Sequence, residues 1–271
     1  MKTLKGLLLL MMGFVLSGCQ AVTGAPSSSQ PVELVVFAAG SLTEAFTEIG
    51  QTFEQQHAEV RVTLNFANAS TLFQQIAQGA PADVFASAAP KFIEDAVAQG
   101  LIEKDAVKVF ARNRLVIIVP RDNPQGIKTM QDLTRPGVRL ILGAKEGPQG
   151  VYVEQLLTNA SASPDFMPDF KERVYQNVVS YESTVKGVVN KVMLGEGDAG
   201  IVFLTDGRSA EGKIQQVLIP DAVNVEAVYP IAVLKSTPHG DEARAFVEFV
   251  LSDEGQRILR KYGFLPPDSM P

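Results

Sequence analysis

The chain has 271 residues, with 24 Lys and Arg against 30 Asp and Glu, for a formal charge of −6. At 46% hydrophobic and 20% charged it can fill a folded core, and its acidic balance argues against the basic face of a nucleic-acid binder. A single Cys excludes an intrachain disulfide framework and a cysteine-cluster metal centre, and two His, expected at solvated surface positions, leave little material for a histidine-based one.

The first thirty residues read as a targeting segment and tether. Lys2 and Lys5 precede a short apolar run, Leu7 to Val15, which is too short to span a bilayer comfortably. Leu16-Ser17-Gly18-Cys19 then gives the pattern of a bacterial lipobox, and the only Cys of the chain falls at the lipidated position. Residues 1–18 are read as a lipoprotein signal peptide and residues 19–30, rich in Ser, Ala, Gly and Pro, as a flexible tether. The protein is expected to be exported and lipid-anchored through Cys19 at the cell membrane, facing periplasm or exterior.

From Val32 onward, strand-like and helix-like segments alternate. Strands are expected over Glu33–Ala38, Val60–Phe66, Asp83–Ala86, Leu115–Pro120, Val138–Gly143, Val174–Val179, Ala199–Leu204 and Val228–Leu234. Helices are expected over Leu42–Phe53, Leu72–Gln78, Lys91–Gln99, Val151–Asn159, Val185–Leu194, Glu242–Leu251 and Glu254–Tyr262. Repeated βα units mean an α/β protein with mostly parallel sheets, and the length calls for two lobes. No internal repeat is visible in the sequence.

In open α/β sheets, ligands sit at the carboxyl ends of strands, where helix N-termini aim free N–H groups at the cleft. Four strand-to-helix junctions are small and polar: residues 37–44, with Ser41 and Glu44 spaced for a capping box; 66–72, with Ala69 and Ser70; 143–152, with Gln149; and 181–185, ending on Val185. Two lie in each half, which points to an anion site between lobes. No nucleophile-elbow or P-loop string occurs. Gly195-Glu196-Gly197-Asp198-Ala199-Gly200 matches the dinucleotide string but precedes a strand instead of following one, so it is rejected as a cofactor loop.

The chain resembles the periplasmic molybdate-binding proteins of ABC importers, the family called ModA, over nearly all of its length past the tether. The resemblance rests on Val36-Phe37-Ala38-Ala39-Gly40-Ser41-Leu42, Gly79-Ala80-Pro81-Ala82-Asp83-Val84-Phe85, Gly147-Pro148-Gln149-Gly150-Val151-Tyr152, Asp198-Ala199-Gly200-Ile201-Val202 and Tyr229-Pro230-Ile231-Ala232-Val233. It implies a two-lobed periplasmic binding protein of type II topology with the ligand cleft between lobes. Lobe 1 would hold residues 31–113 plus 236–271, and lobe 2 residues 114–235.

The resemblance further implies an extracytoplasmic solute-binding protein, not an enzyme, that captures molybdate or tungstate for an ABC permease. It would act as a monomer, with no cofactor, no direct cation ligand and no nucleic acid. Carried over residue by residue, the oxyanion site falls on Ser41, Ala69 with neighbouring Ser70, Gln149, Val185 and Phe203. Ala69 and Phe203 lack the hydroxyls that the family pattern places there, and Thr205 is a substitute donor if the strand end bends. Another tetrahedral oxyanion such as sulfate is the alternative ligand, and an exported lipid-anchored hydrolase the distant alternative function.

Overall fold

In the computed structural model, which describes residues 31–145 and 148–268, β1 (Val32–Ala39) pairs in parallel with β2 (Val60–Ala67) and β3 (Val84–Ala86). Helices α1 (Thr43–Gln56), α2 (Ala69–Ala77) and α3 (Pro90–Ala98) connect and follow them. The long strand β4 (Lys108–Pro120) then crosses into a second sheet. There β5 (Leu140–Gly143), α4 (Pro148–Ala162), α5 (Phe170–Gln176), β6 (Val178–Glu182), α6 (Val185–Met193), β7 (Ala199–Phe203), α7 (Leu204–Ser209) and β8 (Ile214–Leu218) follow. Strand β9 (Glu226–Val233) returns to the first sheet, and α8 (Gly240–Leu251) and α9 (Asp253–Lys261) cover it. The lipobox and tether lie outside the described residues.

The two sheets have one strand order. The first runs β2-β1-β3-β9-β4 and the second β6-β5-β7-β4-β8. In each, the fourth strand arrives from the other lobe and runs antiparallel to both neighbours. This is the two-lobed α/β architecture expected.

A repeated local device supports the repeated topology. In the first lobe, Asp83 donates its N–H to Val35 O (2.8 Å) and accepts Val35 N–H on its carboxylate (2.7 Å). In the second, Asp198 does the same to Arg139 at 2.8 Å each way and also binds its guanidinium. The carboxylate therefore locks the start of the third strand to the first in both lobes. It also explains the rejected Gly-rich string, whose Asp198 is a strand latch ahead of β7.

Each sheet is buried on both faces. In β9, Ala227, Tyr229 and Ile231 enter the core under α1 and α8, while Ala232 and Leu234 beyond it enter the core with Leu72 and Ile93. This is the alternation expected of a strand covered on both sides. Fully buried Phe46, Phe53 and Phe246 meet edge-to-face in the first core, and truncating any one is worth about 3–5 kcal/mol.

Several expectations need correction. Residues 226–233, expected in lobe 2, belong to lobe 1: β9 pairs with β3 and packs in the first core, so the return crossing lies between Val225 and Ala227. Val174 is helical, not strand: Phe166, Phe170 and Val174 recur every four residues and face one core. Strand β4 starts at Lys108 instead of Leu115, because Arg112, Asn113 and Arg114 are polar for contacts at the crossing. Helix α2 starts at Ala69 instead of Leu72. The sequence reading missed α7 and β8, whose segment is short of apolar residues. His57 is half-buried and stacks on Phe53 with ring centroids 4.0 Å apart, and His239 is half-buried before α8, so neither is freely solvated.

Candidate functional site

Strand register places both carboxyl edges at the crossing. Phe203, the last residue of β7, lies opposite Leu115, where β4 enters the second lobe. Gly143 and Glu182 end β5 and β6 side by side. In the first lobe Ala39 lies beside Ala67, and Ala86 lies opposite Ile231 in the second half of β9. The junctions selected from the sequence therefore lie at the carboxyl ends of their strands, with Ser41, Ala69 and Ser70 in the first lobe and Gln149, Val185 and Phe203 in the second.

The junctions differ in how their donors are used. Ser41 does not form the capping box expected of it; it sits in a 3₁₀ turn, Gly40–Leu42, and α1 begins without a side-chain cap. Thr43 turns its hydroxyl back to Gly40 O (2.7 Å), while Ser41 Oγ faces Tyr229 OH at 3.4 Å. Helix α2 starts at Ala69 behind Asn68, whose side chain makes no cap, so the first-turn N–H groups of Ala69 and Ser70 have no intrahelical partner. In α6, Thr184 caps Gly187 N–H (3.1 Å), leaving those of Val185 and Lys186 open.

Gln149 is buried at the start of α4. Its Nε2 donates to Ile201 O on β7, and its Oε1 has no partner among the described residues. Gly150 is required beside it: a Cβ there would come within 2.2 Å of Ala144 O. Phe203 packs edge-on against Tyr152 with centroids 5.4 Å apart, and both rings rest against the cores of both lobes. The position that lacks a hydroxyl is thus an apolar seam between lobes, and burial pushes the Tyr152 phenol above its ordinary pKa.

A cavity of about 640 Å³ opens on this cleft, lined by Ser41 and Glu44 from the first lobe and Lys186, Thr205 and Asp206 from the second. Of the six positions to which the family site carries over, only Ser41 lines it, together with the substitute donor Thr205. Thr205 lines it because β7 stops at Phe203 and α7 turns the chain. Two buried residues missed by the sequence reading join the lips: Tyr229 on β9 and Asn113 on β4, whose Nδ2 reaches Thr205 Oγ1 at 3.0 Å and Tyr229 OH at 3.5 Å. Asn113 was legible as one polar side chain beside the apolar run Leu115–Pro120, and Tyr229 was noted only as part of a motif.

The carboxylates nearby divide in two. Glu182 is held below its usual range by Lys191 and the Ser180 hydroxyl, both bonded to it at 2.6 Å. Asp206 is pushed up to about 7, chiefly by burial and also by the facing Glu44, while the backbone amides of Phe203 and Asp206 and the Lys186 charge pull it down. Among the described residues, no three His, Cys, Asp or Glu side chains form a metal cage. The site offers hydroxyls and helix-start amides instead.

The family model described as bacterial extracellular solute-binding protein matches residues 34–265. The chain belongs to this family. It is 36% identical over 266 residues to the molybdate-binding protein ModA of Mycobacterium tuberculosis (strain ATCC 25618 / H37Rv), covering 97% of each chain. It is 30% identical to the "Putative ABC transporter substrate-binding lipoprotein YvgL" of Bacillus subtilis (strain 168), covering 92% of this chain and 93% of that one. A solved "substrate binding domain of putative molybdenum ABC transporter from Clostridium difficile" has a TM-score of 0.76 at 32% identity, covering 87% of this chain and 99% of the other. As in any solute-binding protein, the cleft is to be read as a capture site and not a reaction centre.

Proposed function

We propose that this solute-binding protein captures molybdate, or its near-isostere tungstate, and delivers it to the permease of an ABC importer. The observation that carries the reading is the donor set: Ser41 and Thr205 line one cavity from opposite lobes, and α2 and α6 start at Ala69 and Val185 with first-turn N–H groups open. A fully deprotonated dianion needs donors only. Neutral donors to an anion contribute roughly 1.5–3 kcal/mol each, and each helix terminus roughly 0.3–1 kcal/mol. The bound anion would be held by the Ser41 hydroxyl, by the amides of Ala69, Ser70, Gln149 and Val185, and by Thr205 where Phe203 has no hydroxyl. The protein acts as a monomer, anchored through lipid on Cys19 at the outer face of the cell membrane, in keeping with the lipoprotein name of the Bacillus relative.

The test is thermal unfolding of a soluble form lacking Cys19, with molybdate, tungstate, sulfate and phosphate added singly. Ligand at 100 times its Kd stabilises by about 2.7 kcal/mol, a rise of roughly 5–10 °C for a protein of this size. The expected result is a rise with molybdate and tungstate that Ser41→Ala reduces. A rise with sulfate alone would assign the cleft to sulfate, and no rise with any anion would overturn the reading.

A further inference from the structure

Asn113 lies fully buried on β4 where the chain crosses between lobes, and all of its polar atoms are engaged. Its Oδ1 accepts the N–H of Arg114 at 2.9 Å. A backbone N–H can only donate, so the amide has one orientation and Nδ2 must face the hydroxyls. One Nδ2 proton goes to Thr205 Oγ1 (3.0 Å) and the other points to the phenol oxygen of Tyr229 (3.5 Å). Tyr229 OH in turn lies 3.4 Å from Ser41 Oγ. Burial holds the Tyr229 phenol above its ordinary pKa, so it keeps its proton.

Each hydroxyl has a single proton, and that proton cannot point back at an N–H already directed at its oxygen. Thr205 must therefore turn its proton away from Asn113, toward the cavity it lines. Ser41 and Tyr229 are a hydroxyl pair in which either oxygen can donate; with Asn113 directed at the phenol oxygen, the Tyr229 proton is free for Ser41 Oγ, and that arrangement leaves the Ser41 proton for the same cavity. The chain of contacts runs from the first lobe through both crossing strands to the second, with one amide at its centre.

We infer that Asn113 is a positioning residue that sets the hydrogen-bond polarity of the cleft, so that Ser41 and Thr205 present protons and not lone pairs to the ligand. The inference rests on the oxyanion reading above. Its consequence is selectivity for a proton-free oxyanion over one that carries a proton, such as hydrogen phosphate, whose own O–H would meet another O–H. Carboxylates of Glu44, Asp206 and Glu211 also line the cavity, and that of Asp206 accepts the backbone amides of Phe203 and Asp206.

The test is calorimetric titration of the soluble protein with molybdate and, separately, with phosphate at pH 7.5. Asn113→Asp keeps the size and the acceptor for Arg114 N–H, but replaces the two donated protons with an acceptor that draws the Thr205 and Tyr229 protons inward. Thr205→Val and Tyr229→Phe each delete one hydroxyl and keep the shape, so they decide the matter if the aspartate variant does not fold. Asn113→Asp is expected to weaken molybdate binding roughly a hundredfold and each hydroxyl deletion roughly tenfold. The ratio of molybdate to phosphate affinity should fall in Asn113→Asp, a change that mere loosening of the fold would not produce. If wild type binds molybdate and the variants keep its affinity and ratio, the inference fails and the proposed function stands. If wild type binds phosphate as tightly as molybdate, the inference also fails. If wild type binds no oxyanion, both fail.

Discussion

Asp206 is the residue whose chemistry departs furthest from its sequence appearance. Its carboxyl is pushed from an ordinary 3.8 to about 7 by burial, with Glu44 facing it. The unfolded chain is ionised above about pH 4, while the folded chain holds the proton until about pH 7. The native state therefore binds more protons in that window, and stability falls as pH rises through it. Asp206→Asn is expected to melt above wild type at pH 8 and to match it near pH 4, as read by calorimetric scans at both pH values. Its molybdate affinity at pH 8 should exceed that of wild type, because a negative charge leaves the cavity wall; equal affinities would remove Asp206 from the cleft electrostatics. Nothing in the sequence announces this. Asp206 follows an apolar strand in a Leu-Thr-Asp-Gly stretch, and its raised pKa comes chiefly from burial in the fold and then from Glu44, which lies 162 positions earlier in the chain. Ser41, by contrast, was legible from its junction, although the alternative offered there, a capping box, is not what forms.

At the level of elements, the strand-to-helix junctions were the most readable feature, because a small polar loop between an apolar strand and an amphipathic helix is a local pattern. What each junction does was not local. Thr184 caps α6, Asn68 leaves α2 uncapped, and Gln149 anchors α4 by reaching across to β7. Gly150 shows how tight that anchoring is. Gly150→Ala would place a methyl group within 2.2 Å of Ala144 O, so the first turn of α4 must shift. The variant is expected to weaken molybdate binding roughly tenfold while the fold persists, since the displacement is confined to one helix start. Calorimetric titration beside a far-ultraviolet circular dichroism spectrum checks it, and unchanged affinity would exclude the α4 amides from the site. The missed elements have the same explanation: α7 and β8 carry few apolar residues, and Val174 was misassigned because its run of Val and Tyr has strand composition at helical spacing.

Past the first thirty residues, the molecule is two lobes joined by two strands. The crossing is strapped. Asn224 both donates to Leu115 O (2.9 Å) and accepts from its N–H (3.2 Å), Arg112 pairs with Glu226 at 2.7 Å, and the tail at Leu265 adds a backbone bridge to Arg112. If the cleft closes on ligand, these few residues at the ends of strands are where a hinge would lie. Saturating molybdate is expected to lower the radius of gyration in X-ray scattering, and an unchanged radius would mean that capture proceeds without closure. At the membrane, Cys19→Ser is expected to move the protein from the membrane fraction to the soluble fraction after export, as read by fractionation; retention in the membrane would overturn the anchor.

By itself, the sequence determined the α/β class and the two-lobed family, because these follow from local periodicity and from short motifs of small residues. The proposed ligand edge and the expected targeting segment are likewise local patterns. Only the tertiary structure decided which lobe owns β9, how Asp83 and Asp198 repeat one latch in two lobes with no visible sequence repeat, and which hydroxyls share a cavity. Those depend on strand pairing between residues far apart in the chain. Tyr229 meets Asn113 and Ser41 only because β9 returns beside β4 and β1 leads into the same edge, a relation that no window of neighbouring residues contains.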